Sequence, residues 1–336
     1  MTRTYDVAVI GATGSVGEAL VQLLEEREFP VATLYLLGSG ESAGESLTFR
    51  GKSRRVAALE AFDFSQVRLV FFAAGAVVTR GHIEAARAAG CVVIDLSAAL
   101  PAQQAPRVVA DANPEQLSRL APPYCVTSPS AQSVAVATVL AALRPHIEVQ
   151  RAVITACMAV SSHGRQGVSE LARQTAELLN ARALEPRLFD RQIAFNLLAQ
   201  VDAPDAGGHG ALERRLAAEL KEVLGSPQLK VSATCIQVPV FYGDSISLSL
   251  QCRDAVEVEQ VCAVLRTAST LEYVEAGDYP TVVGDAVGQE VVYVGRVRGG
   301  QDDPAELNLW IASDNVRKGA ASNAVQLGEL LIKHYL

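Results

Sequence analysis

Seven residues, Gly11-Ala-Thr-Gly14-Ser-Val-Gly17, constrain this 336-residue chain more than any others. They follow a β-branched run, Tyr5-Asp-Val-Ala-Val-Ile10, and precede a stretch from Glu18 to Glu25 whose apolar residues recur at helical spacing. Strand, glycine turn and helix in direct succession open a parallel α/β fold whose backbone N–H groups face an anion. Gly11 lets the chain turn sharply, Gly14 leaves room for a pyrophosphate, and Gly17 lets the helix lie close to the strand. The helix start adds free N–H groups and the positive end of its dipole. The turn therefore points to a dinucleotide, with Gly11, Thr13, Gly14, Ser15, Val16 and Gly17 as candidate contacts.

Further apolar runs at 33–37, 68–72, 92–95 and 124–127 alternate with helical patterns at 80–89 and 131–143. Alternation of this kind predicts a Rossmann-like, doubly wound parallel sheet. The Pro- and Gln-rich stretch between Pro101 and Pro123 reads as a long connection rather than a domain break. After Arg144-Pro145 the texture changes, with longer strands expected at 150–158, 230–240, 245–252, 290–297 and 306–311. Ser245-Ile-Ser-Leu-Ser-Leu alternates polar with apolar, as in an antiparallel sheet covered on one face. Helices are expected at 167–179, 211–223 and 255–267, and 180–210 reads as an excursion with little regular structure. A last helix over 315–335 is expected to pack back on the first domain. The expected organisation is thus a dinucleotide-binding domain of residues 1–130 and 315–336. An α+β dimerisation or substrate domain, residues 131–314, carries a largely antiparallel sheet.

The formal charge is 29 − 37 = −8, and no basic run exceeds two residues. Nucleic acid and anionic membranes are therefore not expected partners. No window approaches the roughly 18 apolar residues of a membrane span. The six cysteines form no CxxC or Cys/His ligand spacing, so no metal site is expected. They read as buried, reduced thiols, and with no apolar leader ahead of the first strand the expected location is the cytoplasm.

Several segments resemble the aspartate-semialdehyde dehydrogenase family nearly end to end. They are the 11–17 turn, Leu37-Gly-Ser-Gly-Glu-Ser-Ala-Gly44, Val-Ile-Asp95-Leu-Ser97-Ala-Ala, Ala-Val-Ser161-Ser-His-Gly164, Ile193-Ala-Phe-Asn196, Thr234-Cys-Ile-Gln-Val-Pro-Val240 and Gly295-Arg-Val-Arg298. The most specific is Leu-Trp310-Ile-Ala-Ser-Asp-Asn315-Val-Arg-Lys318-Gly-Ala-Ala321-Ser-Asn-Ala-Val-Gln326. The resemblance implies a nucleotide-binding domain joined to a domain that pairs two subunits as a homodimer. It also implies an amino-acid biosynthetic setting and an oxidoreductase-like pocket.

The family reduces an acyl phosphate through a thioester on a cysteine at a helix start, where the dipole acidifies the thiol. The family pattern there is Asn-Pro-Asn-Cys-Ser-Thr; this chain reads Ser128-Pro129-Ser130-Ala131-Gln132-Ser133. Loss of a covalent nucleophile can cost about six powers of ten in turnover. Ser130 reads as the N-cap of the following helix rather than a substitute nucleophile, and Cys125 as a buried strand residue. The family's acid–base histidine, in a Gly-His-Ser turn, corresponds to Asp244 in Gly243-Asp244-Ser245. An ordinary aspartate has a reference pKa of ~3.9 and is ionised at neutral pH, so Asp244 reads as a solvated turn residue. The anion-binding positions read Pro101, Gln237 and Met158. In the Glu-x-x-Lys pair Glu213 is retained and the lysine is Leu216. The resemblance is therefore greatest to the family's Usg-type paralogues, which lack the catalytic cysteine, and no catalytic residue is assigned.

In the cofactor loop the family's Ser-x-Arg-Ser becomes Ser39-Gly-Glu41-Ser42. Glu41 would repel a 2′-phosphate and can accept from a ribose hydroxyl, which favours NAD over NADP. A solvated loop charge, and a chain that binds no dinucleotide, stay open beside that reading. Asn315 and Lys318 fall on family positions near the nicotinamide, and His163 is the one histidine read as a possible new catalytic group. Three functions remain in competition: a pseudoenzyme of the family, an NAD(P)-dependent oxidoreductase with noncovalent chemistry, and a structural or regulatory partner of an active relative. The small-molecule substrate is unassigned.

Overall fold

The computed structural model describes residues 3–336, which form two compact units. The first, described over residues 3–129 and 320–336, is built on β1 (Tyr5–Ile10), α1 (Ser15–Glu26), β2 (Val31–Gly38), β3 (Ser46–Phe49) and β4 (Lys52–Ala58). It continues through β5 (Leu69–Phe72), α2 (Ala76–Ala88), β6 (Val92–Asp95) and β7 (Cys125–Thr127). The seven strands run in the order β3-β4-β2-β1-β5-β6-β7, all pairings parallel except β3 with β4. The central strands carry Val7–Ile10, Leu69–Phe72 and Val92–Ile94 buried on both faces, so their sequences are unbroken apolar runs rather than alternating ones.

The second unit, residues 130–319, contains α3 (Ala131–Leu143), β8 (Val149–Met158), α4 (Gly164–Leu179), α5 (Ala211–Val223), β9 (Lys230–Gln237) and β10 (Asp244–Cys252). Then come α6 (Val258–Thr267), β11 (Leu271–Tyr273), β12 (Val292–Gly299) and β13 (Glu306–Ser313). Its sheet runs β11-β12-β13-β10-β8-β9 and is largely antiparallel, with parallel pairing only of β8 with β9 and β11 with β12. Ile246, Leu248 and Leu250 of β10 turn to the covered face, where each buried aliphatic side chain contributes about 1.5–3 kcal/mol. Ser245, Ser247 and Ser249 alternate with them and stay half-exposed on the other face. α3 is buried along nearly its whole length, which its small, apolar composition permits.

The α/β class with a parallel Rossmann-like sheet and a second, largely antiparallel sheet is as the sequence predicts. The differences are local. The β3–β4 hairpin and β11 are additional to the predicted strands. β9 stops at Gln237 rather than at 240, because Pro239 has no N–H for a ladder bond. The last helix, α7 (Asn323–Tyr335), begins eight residues later than predicted, after a wide turn over Arg317–Ser322. Asp314 holds the chain out of a regular helix there: its carboxylate accepts from Val316 and Arg317 N–H, and its carbonyl from Gly319. α7 belongs to the first unit and buries Ala324, Leu327 and Leu331.

Candidate functional site

In the first unit the β1–α1 turn is stitched to β2, since the N–H groups of Gly11 and Ala12 both donate to Leu37 O. Gly11 has φ +77°, and a Cβ there would lie 2.8 Å from Ala73 O. A Cβ on Gly17 would lie 2.1 Å from Gly11 O, so the helix crosses this close only because no side chain intervenes. Gly14 occupies the N-cap of α1 and supplies no side chain to cap it. The N–H groups of Ser15, Val16 and Gly17 begin the helix without intrahelical acceptors. That cradle fits a pyrophosphate, with Thr13 half-buried beside it. Ser39, Glu41 and Ser42 form the next turn, where Ser42 Oγ donates to Ser39 O at 3.2 Å. Glu41 stands exposed at its tip with no hydrogen-bond partner among the described residues.

The second unit gathers polar side chains around the start of α3. Ala131 is the first residue of the helix, and a Cβ added to Gly319 would come within 2.5 Å of the Ala131 methyl. Ser130 stands at the N-cap, but its hydroxyl makes no cap bond. It donates to Glu219 Oε2 at 2.6 Å instead, joined by Ser133 Oγ at 2.7 Å and by the Ser130 N–H at 2.9 Å. Arg215 Nε donates to the other Glu219 oxygen at 2.6 Å. The expected cap is therefore replaced by a tether, in which the hydroxyl turns its proton to a buried carboxylate in a charge-assisted bond. Both serine hydroxyls are thereby tied to one carboxylate.

Sequence reasoning missed Glu219. It is one of several charged residues of the 211–223 helix with no local mark to single it out, yet it is 2 % exposed. Glu213, which the family pattern singles out, is tied up elsewhere: its carboxylate accepts from Gly210 N–H at the start of α5 and from Cys235 N–H on β9. Leu216 and Met158 are both buried, and Pro101 is exposed in the first unit.

Asp244 is not the solvated turn residue its Gly-Asp-Ser context suggests. It begins β10 at 2 % exposure and accepts from Gln132 Nε2 at 2.5 Å and from Ala159 N–H at 3.0 Å. Burial pushes its carboxyl up to about 7; nearby Asp314 adds to the rise, and the two hydrogen bonds oppose it. Asn315 Oδ1 accepts from Gly243 N–H and exchanges bonds with Ser161 Oγ, fixing the turn before Asp244. Lys318 is buried. His163 Nε2 lies 3.1 Å from Gln237 Oε1, and its ring stands edge-on to Phe189. Desolvation lowers the His163 pKa.

All six cysteines are unpaired, and burial pushes the thiols of Cys125 and Cys235 up to about 12, the opposite of an activated nucleophile. Among the described residues no cluster of three His, Cys, Asp or Glu could hold a metal, and no helix is long and apolar enough to cross a membrane.

Residues 6–120 match the model of the semialdehyde dehydrogenase NAD binding domain, and residues 140–318 match that of the semialdehyde dehydrogenase dimerisation domain. A USG-1 protein homolog of Azotobacter vinelandii is 60% identical over 333 residues, 99% of each chain. Aspartate-semialdehyde dehydrogenase 2 of Vibrio cholerae is 38% identical over the full length of both chains. A solved structure described as a probable aspartate-semialdehyde dehydrogenase from Pseudomonas aeruginosa superimposes with a TM-score of 0.97 at 58% identity. It covers 99% of this chain and 100% of that one.

Proposed function

The chain belongs to the semialdehyde dehydrogenase family, and from that premise we propose that it is a catalytically silent member: a self-pairing, cytoplasmic, dinucleotide-binding protein without thioester chemistry. The observation that carries this reading is the start of α3, where a methyl group stands at Ala131 and both neighbouring hydroxyls are committed to Glu219. No other thiol compensates, since burial raises those of Cys125 and Cys235. Residues Gly11, Thr13, Gly14, Ser15, Val16 and Gly17 would hold a pyrophosphate, and Ser39, Glu41 and Ser42 a ribose, with Glu41 favouring NAD. Asn315 and Lys318 are the nicotinamide-side candidates. Self-pairing is supported by the dimerisation-domain match and by the uncovered sheet face, on which Val153 is 43% exposed.

The test is direct. Purified protein given aspartate semialdehyde, phosphate and NAD or NADP should form no reduced cofactor, and mass spectrometry should find no acyl adduct. Turnover near an ordinary dehydrogenase rate, or a trapped adduct, overturns the reading.

A second reading is favoured by Asp244. A carboxyl that titrates near 7 at the family's acid–base position can both give and take a proton at neutral pH. It supports an oxidoreductase that transfers hydride without a covalent intermediate. Asp244→Asn abolishing any alcohol or aldehyde turnover found in a substrate screen would establish that role.

A further inference from the structure

Between the turn that leads into α4 and the excursion at 180–210, the second unit has a half-open cavity of about 240 Å³. Its polar wall is made by His163, Asp190, Gln200, Asp202 and Gln237, and no Lys or Arg is part of the lining. We propose that this cavity binds a small organic ammonium ion, a primary amine on a short apolar body, in place of the anions the family handles. The inference rests on the reading that the family's anionic substrate is no longer taken.

The hydrogen-bond roles in the wall can be assigned. Gln237 Nε2 donates to Met158 O at 2.7 Å, so its Oε1 is the acceptor facing Ser162 Oγ and His163 Nε2. His163 therefore carries its proton on Nε2 and keeps a bare Nδ1, an acceptor. Asp202 receives Leu212 N–H on Oδ2, while its Oδ1 accepts from no group among the described residues. Asp190 contributes a second carboxylate, only loosely paired with exposed Arg191 at 3.6 Å. Ligand donors thus meet acceptors, and a positive charge meets Asp202 and the solvent-exposed Asp190. Phe189 and Leu198 supply the apolar surface. The volume is too small for a dinucleotide and suits an amine of a few carbons.

The experiment is calorimetric titration of the full chain with butylamine, butanol and succinate at matched ionic strength, in wild type, His163→Phe and Asp202→Asn. Butylamine should bind in roughly the millimolar range and at least about tenfold more tightly than butanol or succinate. Each substitution should weaken it about threefold or more, and His163→Phe keeps the measurement open should Asp202→Asn disturb the start of α5. Equal binding of butanol, or an amine affinity unchanged in both variants, overturns the proposal. Preferential binding of succinate would overturn both this inference and the reading beneath it, whereas absent amine binding in a protein still inert toward semialdehyde overturns this one alone.

Discussion

Asp244 on β10 and Gln132 on α3, 112 residues apart in sequence, meet side chain to side chain at 2.5 Å inside the second unit. The carboxyl is buried, and among the described residues the neighbours that favour its charge are that amide and the Ala159 N–H. Its folded pKa of about 7 therefore lies above the unfolded value near 3.8. Below pH 4 both states hold the proton and the site adds no pH dependence. Between pH 4 and 7 the unfolded chain releases the proton first, so stability falls as pH rises, and the fall ends once the folded group has also ionised. Three pKa units correspond to at most about 4 kcal/mol. Asp244→Asn, with the Gln132 amide turned to present its oxygen, should remove that loss. Urea melts should show the variant more stable than wild type at pH 8 and the two converging near pH 4; parallel profiles would contradict the burial account.

Restoring sulfur at one atom should not restore the reaction. Ala131→Cys would place a thiol at the start of α3, where the dipole lowers its pKa, and it should alkylate with iodoacetamide faster than any native cysteine. The positions that the resemblance reads as acid–base and anion-binding remain Asp244 and Gln237, so on the proposed function phosphate-dependent turnover with aspartate semialdehyde should stay at background. Activity in the single variant would mean that those two substitutions do not silence the site.

Glu41 should set the choice of dinucleotide. Wild type is expected to bind NAD at least about tenfold more tightly than NADP, ~1.4 kcal/mol, because the exposed carboxylate repels a 2′-phosphate. Glu41→Arg should reverse the order in fluorescence titrations. An unchanged ratio would make Glu41 a solvated loop charge.

Much of this was legible in the sequence, for physical reasons that also explain what was not. The bounds of α3 and α5 are read correctly because propensity, pattern and flanking Ser130 or Gly210 agree. The β3–β4 hairpin escaped because Ser46–Phe49 and Lys52–Ala58 lie at the sheet margin and carry no continuous apolar run. At Ala131 the absence of a thiol is visible in the local pattern, but the hydrogen bonds of its neighbours are not. Whether Asp244 is solvated depends on Gln132 and Ala159, which no local window contains. Glu213 and Glu219 share one charged helix, and six residues turn a side chain by about 240° at 3.6 residues per turn. One carboxylate then caps its own helix while the other reaches Ser130 and Ser133.

That division of labour gives the last prediction. Glu219 is buried and paired with half-exposed Arg215 and two serines, so Glu219→Gln removes the charge that four donors share, with an expected cost of about 2–3 kcal/mol. Glu213→Gln, at a half-buried position, keeps one oxygen for Gly210 N–H and leaves Cys235 N–H facing an amide NH2, an expected cost of about 1 kcal/mol. Denaturant unfolding of both variants measures the difference. The Glu219→Gln chain should also expose the start of α3, seen as faster amide exchange at Ser130 and Gln132 than in Glu213→Gln. If the two substitutions cost the same and exchange at the same rate, Glu219 is an ordinary helix carboxylate and the tether around Ala131 does not organise that site.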